Sequence, residues 1–144
     1  MTDLVERAQE IATKAHEGQT RWDGSPYITH PASVVKRLKD SYGLGADTLL
    51  ILGWLHDVVE DTSVTLHSLS KEFDDFTIRI LSLLTHQKED SYAIYISKVK
   101  SSQYATLVKI ADLDDNLATL KLPKDRQRID KYELAKLYLI GKAP

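Results

Sequence analysis

Apolar residues recur along this chain at intervals of three and four, the spacing of one helix face, and no pair of stretches alternates convincingly with period two. Leu4, Ala8, Ile11, Ala12 and Ala15 form the first stripe. They predict a helix over 3–17, capped by Thr2 or Asp3 and stopped by Gly18. Thr29-His30-Pro31 opens a second helix, with Pro31 read at its first helical position, that runs to Tyr42 and closes at Gly43 and Gly45. Ala46 to Val59 reads as a third. Further helices are predicted over 65–73, 75–85, 91–100, 103–120 and 126–140, with Pro123 separating the last two. Their inward residues are expected to include Tyr92, Ile96 and Val99, then Leu107, Ile110, Leu113, Leu117 and Leu120, and finally Ile129, Tyr132, Leu134, Leu137 and Tyr138. The pattern predicts an all-α fold, a compact bundle of about eight helices.

The third helix departs from simple amphipathicity. Leu49-Leu50-Ile51-Leu52 is apolar on every side, which places it in the middle of the protein. The stretch that follows, Gly53 to Thr62, puts His56, Asp57, Glu60 and Asp61 into six consecutive positions. On a continuous helix these four fall within an arc of roughly 140°. Gly53, one turn earlier, leaves a hollow above them. The cluster is either an exposed acidic helix end or a place where a bound cation relieves repulsion and lost hydration.

Composition narrows the choice. With 144 residues, 42% apolar and 28% charged, residues 1–144 are expected to form one soluble domain with a real core. The net charge of −2 gives no basic excess to support duplex nucleic acid as a partner. The chain has no cysteine, so a metal site must use nitrogen and oxygen ligands. No apolar run approaches the roughly 18 residues of a membrane helix, and no signal peptide precedes the first helix, so a cytoplasmic protein away from membranes is expected.

Two other segments carry candidate chemistry. Residues 18–30 form a loop that is rich in Arg21, Trp22, Tyr27 and His30, unusual content for a connector. Trp22 and Tyr27 could stack on a base or pack inward. In the helix over 103–120, Asp112 and Asn116 share a face, and Lys109 could either pair with Asp112 or bind phosphate. His30, the His56-Asp57 pair and Asp112 together offer two imidazoles and two carboxylates, a set suited to Mn²⁺, Fe²⁺ or Zn²⁺. Because neighbours on a helix do not face one way, His56 and Asp57 would have to straddle the ion.

These blocks, in this order, resemble the HD superfamily of metal-dependent phosphohydrolases. They are most similar to the hydrolase domain of RelA/SpoT-type alarmone enzymes and their small stand-alone relatives. The matching text is Ala15-His16-Glu17-Gly18-Gln19-Thr20-Arg21, Pro26 to Pro31, Leu55 to Thr62, and Lys109-Ile110-Ala111-Asp112 with Asn116. The resemblance covers roughly residues 4–120. It implies that His30, His56, Asp57 and Asp112 are metal ligands, usually for Mn²⁺, and that Glu60 and Asp61 position and activate the attacking water. It also implies that Arg21 lies against the nucleotide base and Asn116 contacts the nucleotide, with Trp22 and Lys109 as further substrate contacts. His16 would support the loop.

The implied reaction is removal of pyrophosphate from the 3′ position of guanosine tetra- or pentaphosphate. Alternatives are an HD phosphatase for another nucleotide, such as a nucleoside monophosphate or the 2′-phosphate of NADPH, and a non-catalytic nucleotide-binding module. Two departures bear on the substrate. Trp22 stands where a basic residue is common. Leu113-Asp114-Asp115 stands where the family has a basic or aromatic residue, and is expected to make that wall acidic. Tyr132, Leu137, Tyr138 and Ile140 read either as core or as the face of a homodimer.

Overall fold

A computed structural model describes residues 3–43 and 46–141. Its elements are α1 (Asp3–Ala15), α2 (Thr29–Tyr42), α3 (Asp47–Leu55), α4 (Val58–Asp61), α5 (Leu66–Leu69), α6 (Asp75–Leu84), α7 (Tyr92–Lys100), α8 (Gln103–Thr119) and α9 (Arg126–Ile140). The described residues contain no strand, only an isolated antiparallel bridge between Thr20 and Pro26. Four helices start where a side chain caps them: Thr65, Asp74, Ser91 and Ser102 each accept from the backbone N–H three residues on. Gly141, with φ of 89°, closes α9 in the left-handed conformation that glycine tolerates. The proposed roles of Thr2 and Gly45 lie outside the described residues.

The apolar run forms the axis of the fold. α3 buries Leu49, Ile51, Leu52, Gly53, Trp54 and Leu55, and packs against α1, α2, α6 and α8. α8 in turn packs on α2, α6, α7 and α9. Gly53 differs from the expected hollow. A Cβ there would stand 3.0 Å from Leu38 Cδ1 and 3.0 Å from Val35 Cγ2, so its bare backbone lets α2 approach α3 closely.

Three further expectations are corrected. The helix read over 46–59 is two helices, broken at His56 and Asp57; Asp57 has φ −105° and ψ −4°, in the bridge region. α9 turns Ile129, Ala135 and Leu139 inward, while Leu134 and Tyr138 are exposed at 54% and 46%. Leu4 is likewise exposed, because Ala8 and Ala12 meet the core at α1 and their small side chains bring that helix close. No helix among the described residues is long and apolar enough to cross a membrane.

Candidate metal centre

The N-terminal half of α2, the α3–α4 junction and the middle of α8 meet at one point. α2 supplies His30 from its first turn, α8 supplies Asp112, and both side chains are almost fully buried. The helix break supplies His56 and Asp57. Because the chain leaves helical geometry there, two sequence neighbours face the same centre. Ligand atoms of His30, His56, Asp57 and Asp112 all lie within 4.8 Å of one another.

The individual distances are tighter. His30 Nε2 lies 2.8 Å from Asp112 Oδ1 and 3.3 Å from His56 Nε2. His56 Nε2 lies 3.0 Å from Asp57 Oδ2 and 3.3 Å from Asp112 Oδ1, and His30 Nε2 is 3.6 Å from Asp57 Oδ2. Atoms about 2.1 Å from a common ion stand roughly 3.0–3.4 Å apart in octahedral or tetrahedral sets, so this donor set fits a divalent cation.

The far sides of both rings support the same reading. His56 Nδ1 donates to the carbonyl of Gly53 at 2.7 Å, and His30 Nδ1 donates to Asp115 Oδ2 at 2.8 Å. When both rings are neutral in that form, the two Nε2 atoms, 3.3 Å apart, crowd one point as acceptors together with Asp112 Oδ1 and Asp57 Oδ2. Only a positive charge between them makes that arrangement favourable. Burial opposes charging either ring, but Asp112 and Asp115 beside His30, and Asp57 and Asp112 beside His56, outweigh it and hold both imidazoles above their ordinary value. The partnered carboxylates move the other way. Burial opposes it, yet His56 holds Asp57 below the usual range and Lys109 holds Asp112 well below it.

Around the four residues stands a layer of supporting contacts. The Tyr27 hydroxyl donates to Asp57 Oδ2 at 2.6 Å, so this side chain braces a carboxylate of the centre. Lys109 Nζ donates to Asp112 Oδ2 at 2.7 Å and is largely buried, which commits the ammonium to the protein. Asn116 Nδ2 reaches Asp112 Oδ1 at 3.3 Å. Arg21 lies in the loop–α8 interface with 7% of its side chain exposed. Its guanidinium serves Asn116 at 3.2 Å, Thr119 at 3.4 Å and Asp115 at 3.3 Å. His16 sits under the same loop, with its ring 4.8 Å from Tyr27 and Nδ1 2.9 Å from Gln19 Oε1.

Three expected site residues remain accessible. Trp22 is 44% exposed, its indole N–H bound to Thr119 and its ring flanked by Arg21 and Arg128 at 5.5 and 5.0 Å. Glu60 accepts the backbone N–H of His86 at 2.9 Å, which draws the 86–90 segment to the rim. Asp61 makes no side-chain bond among the described contacts. Partial desolvation, then repulsion from Asp57 and Glu60, push its carboxyl up to about 6.

The expected acidic wall does not form. Asp115 is turned inward beneath His30, and Asp114 pairs with Lys136 at 2.6 Å. Sequence reasoning missed the bracing roles of Tyr27, Asp115 and the Gly53 carbonyl. Only Tyr27 carried a signal, as part of the block ending at His30 and Pro31.

An all-helical domain that closes on a buried pair of imidazoles and carboxylates, one pair being adjacent in sequence, belongs to the class built around a His-Asp motif. The chain is a member of the HD domain family, whose profile matches residues 8–138. It is 38% identical over 133 residues to a Borreliella burgdorferi protein named guanosine-3′,5′-bis(diphosphate) 3′-pyrophosphohydrolase, covering 84% of this chain and 20% of that one. It is 34% identical over 135 residues to a probable GTP pyrophosphokinase of Mycobacterium leprae, covering 86% and 17%. The chain thus spans about a fifth of the length of these curated relatives. A solved structure described as a metazoan ortholog of SpoT that hydrolyzes ppGpp superposes with a TM-score of 0.82 at 22% identity, covering 96% of this chain and 85% of that one, and so shares the fold.

Proposed function

We propose that residues 1–144 form one phosphohydrolase domain that uses Mn²⁺ held by His30, His56, Asp57 and Asp112 to remove pyrophosphate from the 3′ position of guanosine tetra- or pentaphosphate. The observation that carries this reading is the convergence of four donor atoms, with the exposed carboxylates Glu60 and Asp61 on the helix that follows Asp57 and Asp61 within electrostatic reach of Asp57, His56 and Asp112. The metal would supply Lewis acidity, lowering the pKa of water and neutralising phosphate charge. Asp61 is placed to accept the proton of the attacking water, since a carboxyl near 6 is mostly ionised at neutral pH yet basic enough to hold a proton. Glu60, tethered to the His86 backbone, would help orient that water. Trp22 with Arg128 offers the exposed face for a nucleotide base. Arg21 and Asn116 hold that face to α8.

One relative supports this substrate: the Borreliella burgdorferi protein is named for the 3′-pyrophosphohydrolase reaction. The test is a panel of guanosine tetraphosphate, guanosine pentaphosphate, NADPH and nucleoside monophosphates with Mn²⁺, scored for phosphate against pyrophosphate. Pyrophosphate from the guanosine substrates is expected, and its loss in Asp57→Ala. Single phosphate from every active substrate overturns the alarmone reading in favour of a nucleotide phosphatase. No turnover in the ion-loaded protein favours a binding module.

A further inference from the structure

We infer that Asp115 is a positioning residue for the metal centre, fixing the tautomer and donor strength of His30 through Nδ1. The inference rests on the metal reading of the four-residue cluster and not on the identity of the substrate.

Asp115 lies on α8 with only 5% of its side chain exposed. A buried carboxylate needs several donors, and this one has four. His30 Nδ1 reaches Oδ2 at 2.8 Å, Arg21 Nη1 reaches the same oxygen at 3.3 Å, and Ser33 Oγ and Arg37 Nε bind Oδ1. These donors come from the loop and from one face of α2, so the carboxylate is held from two directions. An ionised carboxylate can only accept. His30 Nδ1 therefore donates to Asp115; Nε2 faces a second carboxylate, Asp112 Oδ1 at 2.8 Å, and a cation bound at the centre would take that side and leave the proton on Nδ1.

The two imidazoles of the centre are not equivalent. His56 Nδ1 meets a neutral backbone carbonyl, whereas His30 Nδ1 meets an anion. A carboxylate in that place makes the opposite nitrogen a stronger donor. His30 is thus the more strongly donating imidazole, and Asp115 is the cause. An acidic residue here also departs from the basic or aromatic residue that the resemblance leads one to expect. The device belongs to this chain's own residues.

The experiment uses the full chain. Asp115→Asn keeps the shape but can offer an amide N–H to His30, which favours the proton on Nε2, facing the centre. Arg37→Ala removes an outer donor, 40% exposed, from the same carboxylate and serves as the control. Metal-free protein labelled at histidine nitrogens is read by long-range ¹⁵N NMR at alkaline pH. Mn²⁺ affinity is read by competition with a chelator. Wild type is expected to show His30 protonated at Nδ1. Asp115→Asn should raise the Nε2–H population above that of wild type, where Asp112 already faces Nε2, and bind Mn²⁺ about 10- to 100-fold more weakly. Arg37→Ala should stay within about threefold of wild type.

Wild-type His30 protonated at Nε2 alone, with Nδ1 bare beside Asp115, overturns the inference, and this needs no variant to fold. Equal Mn²⁺ binding by wild type and a folded Asp115→Asn overturns it while leaving the metal centre standing. Absence of Mn²⁺ binding in wild type overturns the metal reading and this inference together.

Discussion

Tyr27 and Asp57 are joined by a hydrogen bond of 2.6 Å between a loop hydroxyl and a carboxylate at the helix break. The bond leaves Asp57 Oδ2 turned toward the two Nε2 atoms. A hydrogen bond to a charged group contributes about 1.5–3 kcal/mol. Tyr27→Phe is therefore expected to weaken Mn²⁺ binding about tenfold while leaving the helical content intact, as measured by chelator competition and circular dichroism.

As the proposed general base, Asp61 should set a pH limb. Its carboxyl is pushed up to about 6 and accepts a proton only when ionised, so turnover should rise with pH through that region and level off above it. Asp61→Asn should lower kcat by about 10²- to 10⁴-fold and abolish the acidic limb. Glu60→Ala should slow turnover with Mn²⁺ still bound. A pH–rate profile of each variant checks this, and metal loss in the Glu60 variant contradicts its assigned role.

Metal-free protein should become less stable as the medium turns alkaline. His30 and His56 sit above their ordinary value of 6.5 in the folded state. Groups raised in this way contribute stability that is fully present below about 6.5 and is lost as pH rises through the elevated folded value. Melting curves of the metal-free chain from pH 6 upward should show a falling Tm. Saturating Mn²⁺ should remove or reverse the fall, because the ion replaces the protons and binds better once they are gone.

Gly53→Val should destabilise the fold by about 3 kcal/mol through overpacking against Leu38 and Val35, measured by urea denaturation. The same change moves the Gly53 carbonyl that holds His56, so Mn²⁺ affinity should fall with it.

The helical order, the buried third helix and the convergence of His30, His56, Asp57 and Asp112 were legible because each has a local signature: periodicity, an all-apolar run, a motif on a helix start. The break at His56 and Asp57 was not. No glycine or proline marks it, and the tension between adjacent ligands appears in sequence only as a geometric difficulty. The structure resolves that difficulty by ending α3. Asp115 was unreadable for a different reason. An acidic pair on a helix looks solvated until its partners are known, and those partners lie 78 to 94 residues upstream, in α2 and at Arg21. Arg21 and Lys109 show the converse: cations that read as substrate contacts also pair with buried carboxylates, which the sequence offers no way to see.

His30 and Asp112 are 82 residues apart, and His56 is 26 residues from His30. An ion gripped by both closes two long loops of the chain at a single atom, and closure entropy grows with loop length. It would therefore act as a clasp between α8 and the consecutive helices α2 and α3. Withdrawing α2, α3 or α8 from the bundle would first have to open that clasp, so the lifetime of the folded chain should lengthen with the residence time of a bound ion.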